Sequence, residues 1–298
     1  MKILVTGSNG FIGSNLCRYL KKQGCDLIGL DLAAASRIDA VDEYIQCDLS
    51  TEATGHILDG RQIDALVHLA ADMRHAPYEI EVVHNNCVGE QRLLELCEEK
   101  KVPVFVQLSS LPVIGRPVEH PITEKHPLHP PTVYHATKRM MELLADYAFY
   151  THGLRTVSFR ICAPMGVGMN QKTIFPTFVR NAMAGKDIVL YGEGTRKQTY
   201  IHVNDIAQAI YKAILSEKAQ GVYNLGSNNL LSNRELAQKC VEVLKSESKI
   251  VFNGQPDPMD KDVWDISLDR IKADTGYEPL VSIEEAILEQ AEALSRQA

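Results

Sequence analysis

The stretch Lys2-Ile3-Leu4-Val5-Thr6-Gly7-Ser8-Asn9-Gly10-Phe11-Ile12-Gly13 decides the fold. A short apolar run passes through three glycines into a segment of helical period, with the helix expected to begin near Phe11. Glycines at such a junction let the backbone turn sharply and approach a pyrophosphate, whose charge meets the free N–H groups of the helix N-terminus. The spacing is GxxGxxG, and a tight packing turn is the competing explanation. Asp31 bears on that choice, because it ends Leu27-Ile28-Gly29-Leu30-Asp31, 18 residues after Gly13. A carboxylate there accepts ribose hydroxyls and repels a 2′-phosphate, so NAD is expected over NADP; a turn cap is the alternative. Asp48, in Cys47-Asp48-Leu49, is placed to meet the adenine edge.

Outward from this turn, apolar runs alternate with helical segments as in βαβ units on a parallel sheet. Strands are expected at 2–6, 26–30, 44–47, 65–69, 104–108 and 156–161, and helices at 14–23, 81–99 and 133–151. Several of these strands are apolar throughout, which fits burial on both faces. After Ile161 the chain breaks into Gly/Pro-punctuated pieces: helices at 175–184, 204–216, 233–245 and 283–296, and strands at 188–191, 200–203 and 222–225. The fold expected is α/β, a doubly wound parallel sheet with a smaller C-terminal α/β substrate domain. The dinucleotide domain would take 1–162 plus about 200–227, and the smaller one about 163–199 and 228–298. Pro112 to Pro131 holds six of the thirteen prolines and three histidines and reads as a long surface loop over a cleft.

The 298 residues carry 31 Lys+Arg against 38 Asp+Glu, a formal charge of −7 without long runs of one sign. Nucleic acid and membrane surfaces are therefore set aside as partners. Hydrophobic residues at 45% and charged at 23% describe an ordinary globular chain. Seven scattered cysteines without a CxxC pair read as reduced packing thiols, not as a zinc site or disulfide frame, and no metal is expected. With no run long enough to span a bilayer and a strand at the start instead of a signal peptide, a cytoplasmic location is expected.

Tyr134-His135-Ala136-Thr137-Lys138 puts a phenol and an ammonium on one helix face at i and i+4. A nearby cation lowers a phenol that otherwise titrates near ~10 and makes it useful as an acid/base, while the same Lys can hold ribose hydroxyls. A tyrosine packed on a lysine stem is the alternative. Ser109-Ser110 end the fifth strand, at the carboxyl edge where ligands of such sheets bind, so Ser110 is placed to orient a substrate oxygen beside Tyr134.

Together with Val67-His68-Leu69-Ala70-Ala71, Asn86 ahead of Gly89, Leu190-Tyr191-Gly192-Glu193-Gly194, Tyr200-Ile201-His202-Val203-Asn204-Asp205 and Val222-Tyr223-Asn224-Leu225-Gly226, these motifs resemble the extended short-chain dehydrogenase/reductases, specifically the NAD-dependent epimerase/dehydratase family that includes UDP-glucose 4-epimerase. The resemblance covers nearly the whole chain and implies a seven-stranded Rossmann domain that holds NAD. It implies Tyr134 as acid/base, Lys138 as its partner and ribose anchor, and Ser110 as the substrate-facing hydroxyl. Cofactor contacts would come from Gly7, Asn9, Gly10, Phe11, Ile12, Gly13, Asp31, Leu32, Asp48 and Leu49. Others would come from Leu69, Ala70, Ala71, Asn86, Leu108, Ser109, Tyr134, Lys138, Ile161 and Ala163. Family members commonly dimerise through the two helices that contain Glu81 and Tyr134, so a homodimer is expected.

Several positions depart from the family pattern. Gln198 and Gln255 stand where nucleotide-sugar enzymes carry arginines, and Ala163-Pro164 stand where an Asn is usual. A neutral amide cannot clamp phosphate as a guanidinium does. Arg180, Arg196 and Lys172 are candidate substitutes off the motif. Leu111-Pro112 replace the acidic pair with which 4,6-dehydratases eliminate water, so dehydratase activity is disfavoured. Met73, Arg74, Ser110, Leu111, Gln198 and Arg180 are the candidate substrate contacts. The small-molecule substrate is expected to be sugar-like, with the reaction a hydride transfer at a secondary alcohol of a sugar or nucleotide-sugar. A smaller hydroxy substrate and a non-catalytic NAD-binding sensor are the alternatives. His120, His126 and His129 read as solvated loop residues, Cys162 as packing, and Trp264 as a packing anchor of the small domain.

Overall fold

The computed structural model describes residues 1–74 and 80–296. Strand β1 (Lys2–Thr6) runs into helix α1 (Phe11–Lys22), followed by β2 (Asp26–Asp31), β3 (Glu43–Gln46) and β4 (Ala65–His68). A helical stretch then comprises α2 (Ile80–Val83), a π turn (His84–Val88) and α3 (Gly89–Glu99). Strand β5 (Val104–Ser110), helix α4 (Val133–His152) and strand β6 (Arg155–Ile161) complete the first half. With β10 (Gly221–Leu225) they form a seven-stranded sheet of order β10-β6-β5-β4-β1-β2-β3, with every pairing parallel.

The unbroken hydrophobicity of β1 has the cause expected of a strand covered on both sides. Ile3 and Val5 pack with Leu16 and Leu20 of α1, whereas Leu4 packs oppositely with Ile28, Leu66 and Phe105. Helix α4 starts where the Thr132 side chain accepts from His135 N and stops at Gly153, whose φ of 74° suits glycine. Strand order reverses at β1/β4, and at such a switch point the loops leaving the carboxyl ends diverge and open a crevice.

The second lobe joins β7 (Pro164–Met165), β9 (Lys197–His202), β11 (Asn229–Ser232) and β13 (Val263–Trp264) in one sheet, and β8 (Ile188–Leu190) with β12 (Ile250–Phe252) in another. Helices α5 (Ile174–Met183), α7 (Asn233–Val243) and α9 (Ile283–Ser295) cover them around Phe175, Phe178, Leu236 and Ile287. Helix α6 (Val203–Leu215) returns to pack on α1, and α8 (Asp269–Thr275) packs on β10. Asp205 of α6 accepts from Leu280 N and Val281 N just ahead of α9, tying the lobes together.

The segment 112–131 differs from the solvated loop expected. Ile122 is fully buried, accepts from Ser267 N and donates to Asp265 O, while His126 is 2% exposed and accepts from Val118 N through Nε2. Prolines removed backbone donors, yet the remaining polar groups found partners inside the fold. Strands β7, β11, β12 and β13 and helix α8 are too short for a periodic signal, and the sequence gives no warning of them.

At the β1–α1 turn, Gly7 has φ +66°, and a Cβ on Gly13 would stand 2.1 Å from Gly7 O. Gly55 has open space around it and no positive φ. Gly13→Ala is therefore expected to destabilise by at least about 2 kcal/mol in urea unfolding, with Gly55→Ala within about 0.5 kcal/mol of the parent. Equal midpoints and slopes for both variants would contradict the close approach.

Candidate functional site

A cleft of about 970 Å³ opens along the carboxyl edge of the large sheet and continues between the lobes. At one end lie Gly7, Gly10, Phe11, Ile12 and Gly13, with Asp31, Leu32, Asp48 and Leu49 beside them. Asp31 accepts from Asn9 N through Oδ2 (3.1 Å) and from Ala33 N through Oδ1 (3.3 Å), which fixes the carboxylate at the end of β2. Asn9 itself is not in the cleft wall. Its side chain donates to Ala35 O and Tyr44 OH and accepts from Arg37 N, so it shapes the 33–37 loop.

The middle of the wall is built by Leu69, Ala70, Ala71, Asn86, Leu108, Ser109, Ile161 and Ala163. The Thr6 hydroxyl accepts from Leu69 N and Ala70 N (both 3.2 Å), so its proton goes to His68 Nδ1, 2.8 Å away. That leaves the hydrogen of neutral His68 on Nε2; burial pushes this imidazole down to about 3, helped by the charge of Lys138. Asn86 sits in the π turn, and its amide is spent within the protein. It accepts from Asp72 N (2.7 Å) and donates to Asp72 O (3.0 Å) and Thr137 Oγ1 (3.0 Å), pinning the 69–72 loop to α4.

Tyr134, Lys138 and Ser110 meet in the same cleft. Lys138 is 3% exposed; Nζ donates to Leu108 O at 2.8 Å and lies 5.9 Å from the centre of the Tyr134 ring. The lowered phenol expected from the sequence is reversed here: burial pushes Tyr134 up to about 12 and Lys138 down to about 8. The ammonium is directed at a carbonyl, and the desolvation of each group outweighs their mutual effect. Ser109 Oγ turns the other way, to Glu142 Oε1 at 2.6 Å. Glu142 is wholly buried; burial alone would raise its carboxyl, but bonds from Arg160, Ser109 and Arg139 hold it below its usual value. Glu142 with Arg160 braces α4 against β5 and β6 beneath Tyr134 and Lys138.

At the far end lie Arg196, Gln198, Tyr200 and Trp264. Arg196 immediately precedes β9, two residues before Gln198, and both line the cleft. Arg196 Nε and Trp264 Nε1 are buried donors with no hydrogen-bond partner among the described residues. Trp264 is thus part of the cleft wall as well as a packing residue. The expected substrate contacts Arg180, Leu111 and Arg74 fall elsewhere, as does Gln255, the residue at a family arginine position. Gln255 is exposed and uses its carbonyl to accept from Gly192 N, Arg180 donates to Gln171 O, and Leu111 is buried behind Pro112. None of these three, nor Lys172, lines the cleft. Met73 lines it, whereas Arg74 does not and pairs with Asp72. The Arg74 bonds, reinforced by Asn85, hold that carboxyl well below the usual range against burial. Cys162 is buried in the wall, with its thiol pushed up to about 11.

Residues 3–226 match the model of the NAD dependent epimerase/dehydratase family. Low-salt glycan biosynthesis protein Agl12 of Haloferax volcanii is 32% identical over 265 residues, 85% of this chain and 86% of that one. A dTDP-glucose 4,6-dehydratase of Streptomyces niveus is 28% identical, with 98% and 92% covered. Among solved structures, the UDP-glucose 4-epimerase of Thermotoga maritima, determined with UDP-glucose, superposes with a TM-score of 0.88 at 23% identity, covering 100% of this chain and 99% of that one.

Proposed function

Because the chain belongs to the NAD dependent epimerase/dehydratase family, we propose that it oxidises a secondary alcohol of the hexose in a nucleoside-diphosphate sugar, as an epimerase or dehydrogenase. The observation that carries this reading is the convergence of Tyr134, Lys138 and Ser110 with the glycine turn and Asp31 in one cleft.

The cleft fits the cofactor: a Cβ on Gly7 or on Gly13 would meet backbone at the turn, and Asp31 offers a carboxylate for ribose hydroxyls. NAD, when bound, would supply a hydride acceptor. Tyr134 takes the hydroxyl proton as the carbon–hydrogen bond breaks, Lys138 supplies the charge that makes the phenolate accessible, and Ser110 holds the substrate oxygen. Return of hydride to the opposite face would give an epimer; release of the ketone would give a dehydrogenase.

Elimination of water needs a further acid and base beyond Tyr134. The residues after Ser110 are Leu111 and Pro112, and Asp72 is committed to Arg74, so dehydration is the less favoured outcome. For the diphosphate, Arg196 takes the part that Gln198 and Gln255 cannot. Arg196 Nη2 donates to Gln198 Oε1 (3.4 Å), while its Nε and the Trp264 Nε1 are buried donors with no partner among the described residues, which an oxyanion would satisfy.

We also propose a homodimer, and a protein in the cytoplasm. Helix α4 exposes Met140, Leu143, Tyr147 and Tyr150 at heptad spacing, and the neighbouring α2 exposes Ile80 and Val83. Such a stripe paired with itself about a two-fold axis would bury both helices of each protomer. Light scattering is expected to give twice the chain mass for the parent and the chain mass for Leu143→Arg with Tyr147→Glu; a monomeric parent would contradict this.

With UDP- and dTDP-hexoses as substrates, Tyr134→Phe is expected to lower kcat by about 10²–10⁴-fold while NAD affinity stays within about threefold. Arg196→Gln is expected to raise KM by ~10–100-fold, the loss of a charge-assisted contact. Unchanged turnover in Tyr134→Phe would refute the acid/base assignment, and unchanged KM in Arg196→Gln the diphosphate site.

A further inference from the structure

The turn between β8 and β9 is held by a later segment of the chain. Gly192 and Gly194 have φ of +58° and +69°, whereas Glu193 and Thr195 stay in the ordinary negative range. Backbone that changes hand at alternate residues turns its N–H groups to one side and forms a concavity for an anion. Here the anion is internal. Asp260 accepts from Glu193 N through Oδ2 and from Thr195 N through Oδ1 (2.8 Å), and its main-chain oxygen accepts from Thr195 Oγ1 (2.8 Å). A Cβ on Gly192 would overlap the carboxylate. Burial alone would raise this carboxyl, but the bonds from the Glu193 and Thr195 backbone hold it below its usual value.

Arg196 is the next residue along, and its main chain is fixed by the same neighbours. Its carbonyl accepts from Asn233 N (3.1 Å), Lys197 N donates to Asp262 O (3.0 Å), Gly192 N donates to Gln255 O (2.8 Å), and Gly194 O accepts from Arg234 N (3.0 Å). Segment 255–262 is tied in turn to the 112–131 segment through Arg116, whose Nη2 donates to Pro258 O (2.6 Å) and which pairs with Asp262 (3.3 Å). The Arg196 side chain is held by much less. Nη2 donates to Gln198 Oε1 at 3.4 Å, and the buried Nε has no partner among the described residues. The place of the guanidinium in the cleft wall therefore depends on the backbone that carries it.

Resting on the diphosphate reading of Arg196 above, we propose that Asp260 is a positioning residue: its carboxylate fills the 192–195 turn and so aims Arg196 into the cleft at a nucleoside-diphosphate substrate. Without that carboxylate the convergent N–H groups turn to water and the turn relaxes. Ordering Arg196 is then a cost of binding, and bond breaking at Tyr134 is untouched.

Asp260→Ala empties the turn. With UDP- and dTDP-hexoses it is expected to raise KM about tenfold with kcat within about twofold of the parent, and to add no further rise in an Arg196→Gln background. The Arg196 Nε–H supplies a reading that needs no substrate. Its ¹⁵N-correlated resonance, assigned by its loss in Arg196→Gln, is expected to exchange with solvent about tenfold faster in Asp260→Ala than in the parent. Formate, compared with sodium chloride at equal concentration, is expected to reoccupy the turn and restore both the exchange rate and KM. Equal Nε–H exchange in parent and Asp260→Ala, an additive KM rise in the Arg196→Gln background, or a loss that formate leaves unchanged would overturn the proposal. Should Asp260→Ala not fold, the Glu193 and Thr195 amides of the parent are expected to exchange at least about tenfold slower than unstructured chain, and unprotected amides would overturn it as well. Faster Nε–H exchange in Asp260→Ala, together with an unchanged KM in Arg196→Gln, would count against the diphosphate reading and leave the positioning of Arg196 standing.

Discussion

The bond from Lys138 Nζ to Leu108 O is the contact on which the rest of the site depends. It takes an ammonium 3% exposed and directs it at the last turn of backbone before Ser109 and Ser110, fixing α4 to β5 at the edge where Tyr134 emerges. An unpaired buried ammonium would be costly, and the Leu108 carbonyl offsets part of that cost. Glu142 with Arg160 and Ser109 holds the same helix from beneath. Tyr134, Lys138 and Ser110 are thus set on a helix and a strand end rather than on loops.

Charge is distributed unevenly along the cleft. The dinucleotide end has fixed carboxylates, Asp31 and Asp48, and the backbone donors of the glycine turn; the far end has Arg196 and the Trp264 indole. Between them burial separates Tyr134 and Lys138 from water, pushing the phenol up to about 12 and the ammonium down to about 8. Those directions favour neutral forms of both. A positively charged ring and an oxyanion at either side of the pair would reverse this preference, coupling acid/base readiness to occupancy.

The sheet was legible because a parallel strand buried on both faces is apolar throughout, as Ile3-Leu4-Val5 shows, and because glycine must stand where Gly13 meets Gly7 O. The i, i+4 spacing of Tyr134 and Lys138 and the strand-end place of Ser110 were legible for the same reason: local geometry alone sets them. What depended on distant contacts was not. Arg196, just ahead of β9, lines the same end of the cleft as Gln198, so a cation is present at a site where the family's motif position holds only an amide. Gln255 and Arg180 lie near the right places in sequence but outside the cleft in space.

The proposed reaction begins with the breaking of a carbon–hydrogen bond of a hexose, for which NAD would be the hydride acceptor. Single-turnover mixing of the NAD-loaded protein with a UDP- or dTDP-hexose, protiated or deuterated at the oxidised carbon, tests it most directly. A rise in reduced-nicotinamide absorbance, slowed severalfold by deuterium and abolished in Tyr134→Phe, is the result predicted. Turnover of the sugar with neither an absorbance change nor an isotope effect would contradict it.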